Sequence, residues 1–375
     1  MPVYEDPVDA HLLDPVVLHA WTASIVRRLG TPGDIAEDVA EVLVASDRRG
    51  IASHGTARLT QYVALVEAGV MDPVARPVIV RERPALVLMS AQNGWGHHAC
   101  RVAVDLAIER ARVAGTATVV VRRSNHYGIA GWYALRAATQ GFIGISLTNS
   151  SPLVAPTRSR QPLLGTNPIA VAAPAGRFGT FCLDMATSTV PRGRIEVAAR
   201  RGWTLPVGWA IDADGNAATT ADAALAGSLH PLGGEEATGG YKGYGLAMVV
   251  ELLTGILGGA AFGPNVVSLF STHEGPADLG ETFVVIDPAA IDDAPGGFES
   301  RLETLLGQLV AAPVTPEAPG PVLVHGAPEA EAERRADERG IAVDGEHFRS
   351  MVSLGERLGV PVPATLTRAM PETSA

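Results

Sequence analysis

Apolar residues recur at helical spacing through the first seventy residues of the chain. Residues 15–29 have this spacing and end at Gly30, and the next helix is predicted to start with Thr31 as its N-cap and Pro32 at its first position. A third helix is predicted over residues 56–67. The N-terminal part of the chain is therefore predicted to be helical.

From residue 85 onward, short apolar runs alternate with helical segments. The predicted strands cover residues 85–89, 117–121, 142–148, 169–173 and 181–184, and the predicted helices cover residues 99–114 and 131–140. Such β-α-β alternation is typical of helices packed on a sheet. Because the last two strands follow each other closely, we expect part of the sheet to be antiparallel or mixed.

The C-terminal third of the chain shows a different arrangement. A buried helix is predicted over residues 245–257, after the glycine-dense stretch 239–243. Residues 311–321 are rich in Pro and Ala and are predicted to be a linker. A charged helix over residues 329–339 and an amphipathic helix over residues 347–358 follow this linker.

These elements predict an α/β protein with two domains. A mixed sheet with flanking helices is expected over residues 76–321, and a helical domain is expected from the two termini, residues 11–75 and 322–365. The chain has 375 residues, of which 47% are hydrophobic, so it can bury a sizeable core.

The charge balance argues against several classes of protein. The chain has 29 Lys and Arg against 40 Asp and Glu, a net charge of −11, and no dense basic tract, which disfavours a nucleic-acid partner. The longest apolar stretch, residues 246–262, carries Glu251 and is too short and glycine-rich for a membrane span. The acidic, proline-broken residues 1–10 are unlike a signal peptide. We therefore expect a soluble, cytoplasmic protein.

Several common catalytic motifs are absent from the sequence. There is no GxGxxG, no Gly-Lys pair of a phosphate-binding loop, no HExxH and no GxSxG. His97 and His98 are adjacent, so they cannot share a metal from one helix face, and we expect them to start a helix instead. Cys100 and Cys182 stand outside any CxxC, so neither a disulfide framework nor a metal site is expected.

The first candidate for chemistry is the segment around His54. Arg58 follows His54 by four residues, one helical turn, so both side chains can face one ligand. An arginine can hold a carboxylate with two hydrogen bonds while a histidine beside it exchanges a proton. The alternative, and the commoner outcome for such a pair, is a capping Ser53 with a surface histidine and arginine.

Polar residues also stand at the ends of predicted strands, where ligands lie in α/β sheets. One of them is His126, whose alternative is a loop histidine with satisfied hydrogen bonds. The other stretches, which could equally form turns, are 148–152, 165–168, 184–188 and 240–246.

The order of these stretches is more specific than any one of them. SHGxxR, SNHYG, TNSSP, GTNP, DMATS, GWAxDxxG and GYKGYGL follow one another along the chain. In this order the sequence resembles the type-2 malate/L-lactate dehydrogenase family, which includes ureidoglycolate and sulfolactate dehydrogenases, diketogulonate reductase and cyclic ketimine reductases. The resemblance covers residues 15–361.

The resemblance implies an activity and a fold. It implies an NAD- or NADP-dependent oxidoreductase that transfers a hydride between nicotinamide and a small 2-hydroxy or 2-oxo acid. It also implies a homodimer and a non-classical nicotinamide-binding α/β fold, which explains the missing GxGxxG. Two alternatives stay open: a reductase of cyclic ketimines such as piperideine- or pyrroline-2-carboxylate, and a non-catalytic family member that binds a dinucleotide.

The resemblance also implies roles for individual residues. His54 matches the acid/base histidine with Ser53 as its orienting partner, Arg58 matches the carboxylate clamp, and Thr166 is a further substrate contact. Family members differ in whether the catalyst is this histidine or the one at His126, and we favour His54 because of its pairing with Arg58. The residues implied to bind the cofactor are His126, Tyr127, Gly128, Ile129, Ala130, Ser150, Asp184, Met185, Ala186, Glu236, Ala237 and Lys242.

Two departures from the family pattern bear on specificity. Arg158 and Arg160 stand where the family often has small residues, and alternate residues of an extended loop point the same way, so they could converge on one phosphate. This favours NADP slightly over NAD, the alternative being an exposed arginine pair. Arg194 replaces an acidic residue expected in cyclic ketimine reductases, which disfavours that substrate.

A serine hydrolase built on Ser53 and His54 is the least favoured reading of the sequence. Consecutive residues rarely point their side chains at each other, so we do not expect the two to form a nucleophile–base pair.

Overall fold

The computed structural model describes residues 9–368. The comparison of the N-terminus with a signal peptide rests mainly on residues 1–8, which, like the end of the polar tail at residues 369–375, lie outside the described residues. The first four elements of the chain are β1 (His11–Leu13), α1 (Pro15–Arg28), α2 (Gly33–Arg48) and α3 (Leu59–Glu67). The predicted N-terminal helices are therefore confirmed.

The helix caps differ in part from the sequence expectation. The Asp14 carboxylate caps α1 by accepting hydrogen bonds from two backbone N–H groups of its first turn. The predicted N-cap Thr31 is wrong, because no side chain caps α2. The Thr31 hydroxyl instead accepts a hydrogen bond from the indole N–H of the buried Trp95 at 3.1 Å, since a buried indole needs an acceptor.

The middle of the chain builds a central sheet and two helices on it. These elements are β2 (Val78–Arg83), β3 (Leu86–Ser90), α4 (Gly96–Ala114), β4 (Thr116–Ser124), α5 (Ala130–Ala138), β5 (Ile143–Thr148), β6 (Ile169–Pro174) and β7 (Thr180–Met185). As expected, His97 and His98 lie in the first turn of α4. The helices α4 and α5 bury Tyr133 and Val119 in one hydrophobic cluster with the sheet.

The remaining elements lie in residues 192–251, which we call the second lobe, and in the C-terminal part of the chain. In chain order these are α6 (Arg192–Arg201), β8 (Ala210–Ile211), α7 (Ala221–Ala226), β9 (Ser228–Leu229), α8 (Gly240–Glu251), β10 (Leu279–Ile286), α9 (Gly297–Val310), α10 (Ala327–Arg339), β11 (Ile341–Val343) and α11 (Gly345–Leu358). The predicted linker, residues 311–321, contains no helix or strand. The α6–α8 region encloses its own cluster, which includes Val154, Ile195 and Ala247.

The central sheet is mixed, as predicted. Its strand order is β2-β3-β4-β10-β5-β6-β7, with β3 and β4 parallel and the other neighbours antiparallel. The strand β10 comes from late in the chain and inserts between β4 and β5, where Phe283 is fully buried. Two strands of this sheet, β2 and β10, were not predicted from the sequence; β2 is an edge strand exposed along its whole length, so it carries no pattern of burial.

The two ends of the chain pack together. The strands β1 and β11 pair antiparallel, and residues of α1 and α2 share a hydrophobic cluster with Met351 and Leu354 of α11. Trp95 from the start of α4 joins the same cluster. The domain boundaries at residues 75/76 and 321/322 stay a prediction. Over the described residues, no helix combines the length and the apolar character needed to cross a membrane.

The helix predicted over residues 245–257 differs in extent and in burial. It begins at Gly240, so Lys242 lies in its first turn rather than in a loop, and it continues as a π-helical turn over Leu252–Ile256. It was expected to be buried, but one side is 40–56% exposed. We call this side the apolar face of α8, and its residues are Tyr241, Met248, Val249, Leu252 and Ile256.

Candidate active site

The segment that joins α2 to α3 is folded as two short 3-10 turns, Ala52–His54 and Thr56–Arg58. Gly55 separates them, and a Cβ there would clash with the Asp47 carboxylate. That carboxylate accepts hydrogen bonds from the backbone N–H and the hydroxyl of Thr56, at 2.9 and 2.6 Å. The buried Asp47 therefore fixes the backbone that carries His54.

Ser53 contacts both His54 and Arg58. The Ser53 hydroxyl lies 2.8 Å from Nδ1 of His54, and Nε of Arg58 donates to the carbonyl of Ser53 at 2.6 Å. The expectation that neighbouring Ser53 and His54 would not meet is thus wrong, because a 3-10 turn with extended Gly55 after it does not place side chains as an α-helix does. Ser53 orients the histidine.

The guanidinium of Arg58 has hydrogen-bonding capacity left over. Only its Nε is engaged among the described residues, and its Cζ lies 5.2 Å from the centroid of the Phe270 ring. The terminal nitrogens make no hydrogen bond to the described protein, so they can take a carboxylate with two parallel bonds.

A second histidine stacks on the first. His126 follows β4, and its ring centroid lies 5.4 Å from that of His54, with 25° between the ring planes. Its Nδ1 is 2.6 Å from the hydroxyl of Tyr62. Tyr62 falls in the helix predicted over residues 56–67, where its spacing is that of an ordinary core residue. The available signal was that a buried phenol needs a hydrogen-bond partner.

Burial and positive charge keep this cluster neutral. Burial, and next the Arg58 charge, lower the pKa of His54 to about 4. Burial lowers the pKa of His97 to about 3, and it lowers the pKa of His126 well below its usual value, with His54, His97 and Arg58 acting in the same direction. The imidazoles are therefore uncharged at neutral pH.

The loops after β5 and before β6 meet beside the histidines. The backbone N–H of Thr166 donates to the Ser150 hydroxyl at 3.0 Å, and the N–H of Thr187 donates to the carbonyl of Thr166 at 2.8 Å. Ser150 and His126 line one small cavity of about 50 Å³. The predicted substrate contact Thr166 is thus tied to Ser150 and to the end of β7.

The loop after β5 and the loop before β6 are also held by Glu251, a charged residue in the longest apolar stretch of the sequence. Its carboxylate is 2% exposed and accepts hydrogen bonds from the amides of Asn149 at 3.2 Å and Asn167 at 3.0 Å. Asn149, which follows β5, and Asn167, which precedes β6, are therefore anchored to the end of α8.

Asp184 lies at the N-terminus of α5. One of its oxygens accepts a hydrogen bond from the Gly131 N–H at 2.7 Å, and a Cβ at Gly131 would sit at the same distance from it. Asp184 as a whole residue is exposed, but the protein packed around its carboxyl end raises the pKa of that group to about 6. Asp184, Arg49, Glu329 and neighbouring residues line a cavity of about 300 Å³. The cavity has the polar groups that sugar hydroxyls and phosphates need.

The predicted cofactor residues that follow His126 differ in which of their atoms can reach a ligand. The side chain of Tyr127 is in the core, stacked on Tyr133, with its hydroxyl 3.2 Å from that of Ser146, so only its backbone can reach a ligand. Ile129 lines the 300 Å³ cavity, and Ala130 is the first residue of α5.

The remaining predicted cofactor residues lie in the second lobe and at the end of β7. Met185 and Ala186 follow Asp184 and are partly buried. Glu236 and Ala237 form a 3-10 turn before α8, and Nζ of Lys242 lies 5.8 Å from the centroid of the Tyr241 ring.

The predicted convergence of Arg158 and Arg160 is wrong. Arg158 lies in a turn with a φ of 73°, so the alternation of an extended strand does not hold there. Its guanidinium makes two hydrogen bonds to Glu236, at 2.6 and 2.9 Å. Arg160 instead faces Asp214 at 4.0 Å. Each arginine has its own carboxylate partner.

Among residues 9–368, no group of three or more His, Cys, Asp or Glu side chains could hold a metal ion. Cys100 and Cys182 are both buried free thiols.

Comparison with known proteins gives a consistent result. The sequence profile of the malate/L-lactate dehydrogenase family matches residues 13–352. The chain is 45% identical to a malate dehydrogenase of Pyrococcus abyssi over 272 residues, which are 72% of this chain and 74% of the relative. The malate dehydrogenase structure from Entamoeba histolytica superposes with a TM-score of 0.89 at 31% identity, covering 94% of this chain and 99% of that one.

Two further relatives carry a cofactor in their names. A ureidoglycolate dehydrogenase (NAD(+)) of Escherichia coli is 31% identical over 90% of this chain and 93% of its own length. A (2R)-3-sulfolactate dehydrogenase (NADP(+)) of Chromohalobacter salexigens is 35% identical over 75% of this chain and 81% of its own length.

The charge of Arg58 gives a test of the site's electrostatics. Replacing it in Arg58→Gln removes the positive charge that opposes protonation of His54, so the pKa of His54 should rise from about 4 toward, but not reach, its usual value, because burial remains. NMR titration of the His54 ring measures this without any substrate. Arg110→Gln, a change at an arginine paired with Glu82, is the control and should leave the titration unchanged. An unchanged or lower His54 pKa in Arg58→Gln contradicts the assignment.

Proposed function

Because this chain belongs to the malate/L-lactate dehydrogenase family, we propose that it catalyses NAD(P)-dependent hydride transfer between nicotinamide and a small 2-hydroxy or 2-oxo acid. The observation that carries the proposal is the joint contact of His54 and Arg58 with Ser53. A carboxylate bound to the free guanidinium nitrogens of Arg58 has its C2 oxygen next to an acid/base imidazole.

The roles of the residues follow from the balance of the reaction. When bound, the nicotinamide accepts a hydride from C2 of a hydroxy acid or donates one to C2 of an oxo acid. In oxidation, Nε2 of His54 takes the proton from the substrate hydroxyl, and in reduction it returns a proton to the carbonyl oxygen. Arg58 holds the substrate carboxylate, and Thr166 contacts the substrate from the opposite loop.

Substrate binding changes the proton affinity of His54. The free site favours neutral His54, which suits the base needed for oxidation. A substrate carboxylate on Arg58 offsets the charge that lowers the pKa of His54, so it favours the protonated form needed for reduction. Arg58 thus couples binding of an oxo acid to uptake of a proton.

His126 and Ser150 at one cavity and the residues around Asp184 at the other would hold the cofactor. The Asp184 carboxylate, which accepts from the Gly131 N–H at the start of α5, would suit ribose hydroxyls. Ser150 lines the cavity shared with His126, which supports its role as a contact near the nicotinamide.

The preference for NADPH through Arg158 and Arg160 stays a proposal, now on a different basis. Both ion pairs of these arginines are on the surface, and surface ion pairs contribute little to stability. A phosphate can therefore replace Glu236 as the partner of Arg158 with little loss.

We also propose that the protein acts as a homodimer. The apolar face of α8 leaves five large side chains in water on one helix, more than a monomer surface usually exposes in one strip. A second copy of this chain, with the same face, covers it by a self-complementary contact.

The activity is tested by nicotinamide absorbance with a panel of 2-hydroxy acids, 2-oxo acids and cyclic imines. We expect turnover with one of the first two groups, and His54→Ala should lower kcat by about 10²–10⁴-fold with little change in cofactor affinity. Turnover of cyclic imines alone supports the ketimine alternative. A protein that binds the dinucleotide but turns over nothing is the non-catalytic alternative, and a normal kcat in His54→Ala moves the proton to another residue.

Cofactor choice is tested by steady-state kinetics with NADH and NADPH. We expect the wild type to have the higher kcat/KM with NADPH, and the double change Arg158→Ala, Arg160→Ala to remove that preference while sparing activity with NADH. A wild type that prefers NADH, or equal losses with both cofactors, contradicts the proposal.

The homodimer is tested by light scattering coupled to size exclusion. The wild type should have twice the mass of the 38.9 kDa chain, and Leu252→Glu should shift it toward the monomer because a buried carboxylate in the interface is costly. Ile291→Glu, at a residue 82% exposed and away from α8, is the matched control. A monomeric wild type contradicts the proposal.

A further inference from the structure

His126 receives two hydrogen bonds at one ring nitrogen. Its Nδ1 lies 2.6 Å from the Tyr62 hydroxyl and 3.3 Å from the backbone nitrogen of Gly128. Gly128 has a φ of 83°, and this left-handed backbone turns its N–H back onto the ring. Two polar groups from different parts of the chain therefore converge on the same atom.

The direction of these hydrogen bonds fixes the position of the ring proton. A backbone N–H can only donate, so Nδ1 of His126 must be the acceptor. Burial raises the pKa of Tyr62 well above its usual value, so its hydroxyl keeps its proton and donates it to the same lone pair. The single proton of the neutral ring then lies on Nε2.

His54 is held in a different way. Its Nδ1 faces the Ser53 hydroxyl, which both donates and accepts. Nδ1–H can donate to Ser53 whether Nε2 carries a proton or not, so His54 changes its charge without losing this partner. His126 cannot take a second proton in this way, because an N–H at Nδ1 would point at the N–H of Gly128.

The charged and titratable groups around His126 agree with this difference. Those that act on it are His54, His97 and Arg58, and none of them is a carboxylate that would stabilise an imidazolium. His97 is fully buried, has no hydrogen-bond partner on either ring nitrogen in the described structure, and meets Tyr62 edge-on at 5.0 Å.

We propose that Tyr62 and the Gly128 N–H lock His126 as the neutral Nε2–H tautomer, which donates a hydrogen bond to the reacting oxygen of the substrate, while His54 alone carries the proton. The assignment rests on the proposed function for its chemistry but not for its geometry. His126 is then a catalytic residue that polarises the carbonyl without being an acid, and Tyr62 is a positioning residue that acts through it.

The tautomer is read directly by ¹⁵N NMR of the histidine rings at neutral pH. We expect the His126 signals of the wild type to show an unprotonated Nδ1 and a protonated Nε2. Tyr62→Phe removes the shorter of the two hydrogen bonds to Nδ1 while the Gly128 N–H still donates, so the tautomer should be kept and the ¹⁵N shift of Nδ1 should move toward that of a nitrogen without a hydrogen bond. Tyr244→Phe is the matched control, because this tyrosine packs against the cluster of the α6–α8 region and not against His126.

Kinetics give a second readout of the same variant. Tyr62→Phe should lower kcat by about 10–100-fold, the loss typical of removing the group that orients an imidazole, with KM changed much less. Its pH profile should keep the limb that belongs to His54. In Tyr244→Phe kcat should be unchanged.

Several outcomes would overturn the assignment. They are a proton on Nδ1 of His126 or a charged His126 ring in the wild type, and an unchanged ¹⁵N shift of Nδ1 in Tyr62→Phe. The wild-type spectrum decides the point even if Tyr62→Phe does not fold. Because it needs no turnover, the failure of this proposal is separable from a failure of the proposed activity.

Discussion

The buried carboxylate of Glu251 is the interaction on which the arrangement of the site depends. It accepts hydrogen bonds from Asn149 and Asn167, which stand directly beside Ser150 and Thr166. Loops carry unsatisfied backbone and polar side-chain groups, so two loops can meet in the interior only around a group that satisfies them. One carboxylate at the end of α8 thereby joins the loop after β5 to the loop before β6.

Partial exclusion of water is the second condition for the site. The imidazoles of His54, His97 and His126 lie together near the Arg58 cation; His97 is fully buried and the other two are half-buried, and this loss of solvent keeps all three uncharged at neutral pH. Arg58 is half-buried as well, so an ion pair with the proposed substrate carboxylate would be less screened than one on the open surface. In the proposed mechanism, one charge therefore affects both substrate recognition and the proton affinity of His54.

How much of this was visible in the sequence depends on the range of each interaction. The nearness of His54 and Arg58 could be expected from their spacing of four residues, although the segment folds as two 3-10 turns and not as one helix. Local periodicity predicted most of the helices and five of the seven strands of the central sheet, but not α6, α7, α9, β2 or β10. The contact of Tyr62 with His126 spans 64 residues, and no local pattern encodes it. The predicted cap at Thr31 failed for the same reason, since its hydroxyl is used by a distant indole. The predicted convergence of Arg158 and Arg160 failed because one left-handed residue redirects the chain.

The position of β10 has a consequence for how the chain is made. This strand pairs with both β4 and β5, yet about 130 residues separate it from the end of β5, a stretch that a ribosome needs roughly 6–26 s to add. Until then β4 and β5 are two unpaired edges, each able to pair with a strand of another nascent chain. The sheet closes only when its central member arrives, so the speed of synthesis relative to aggregation decides the yield of folded protein.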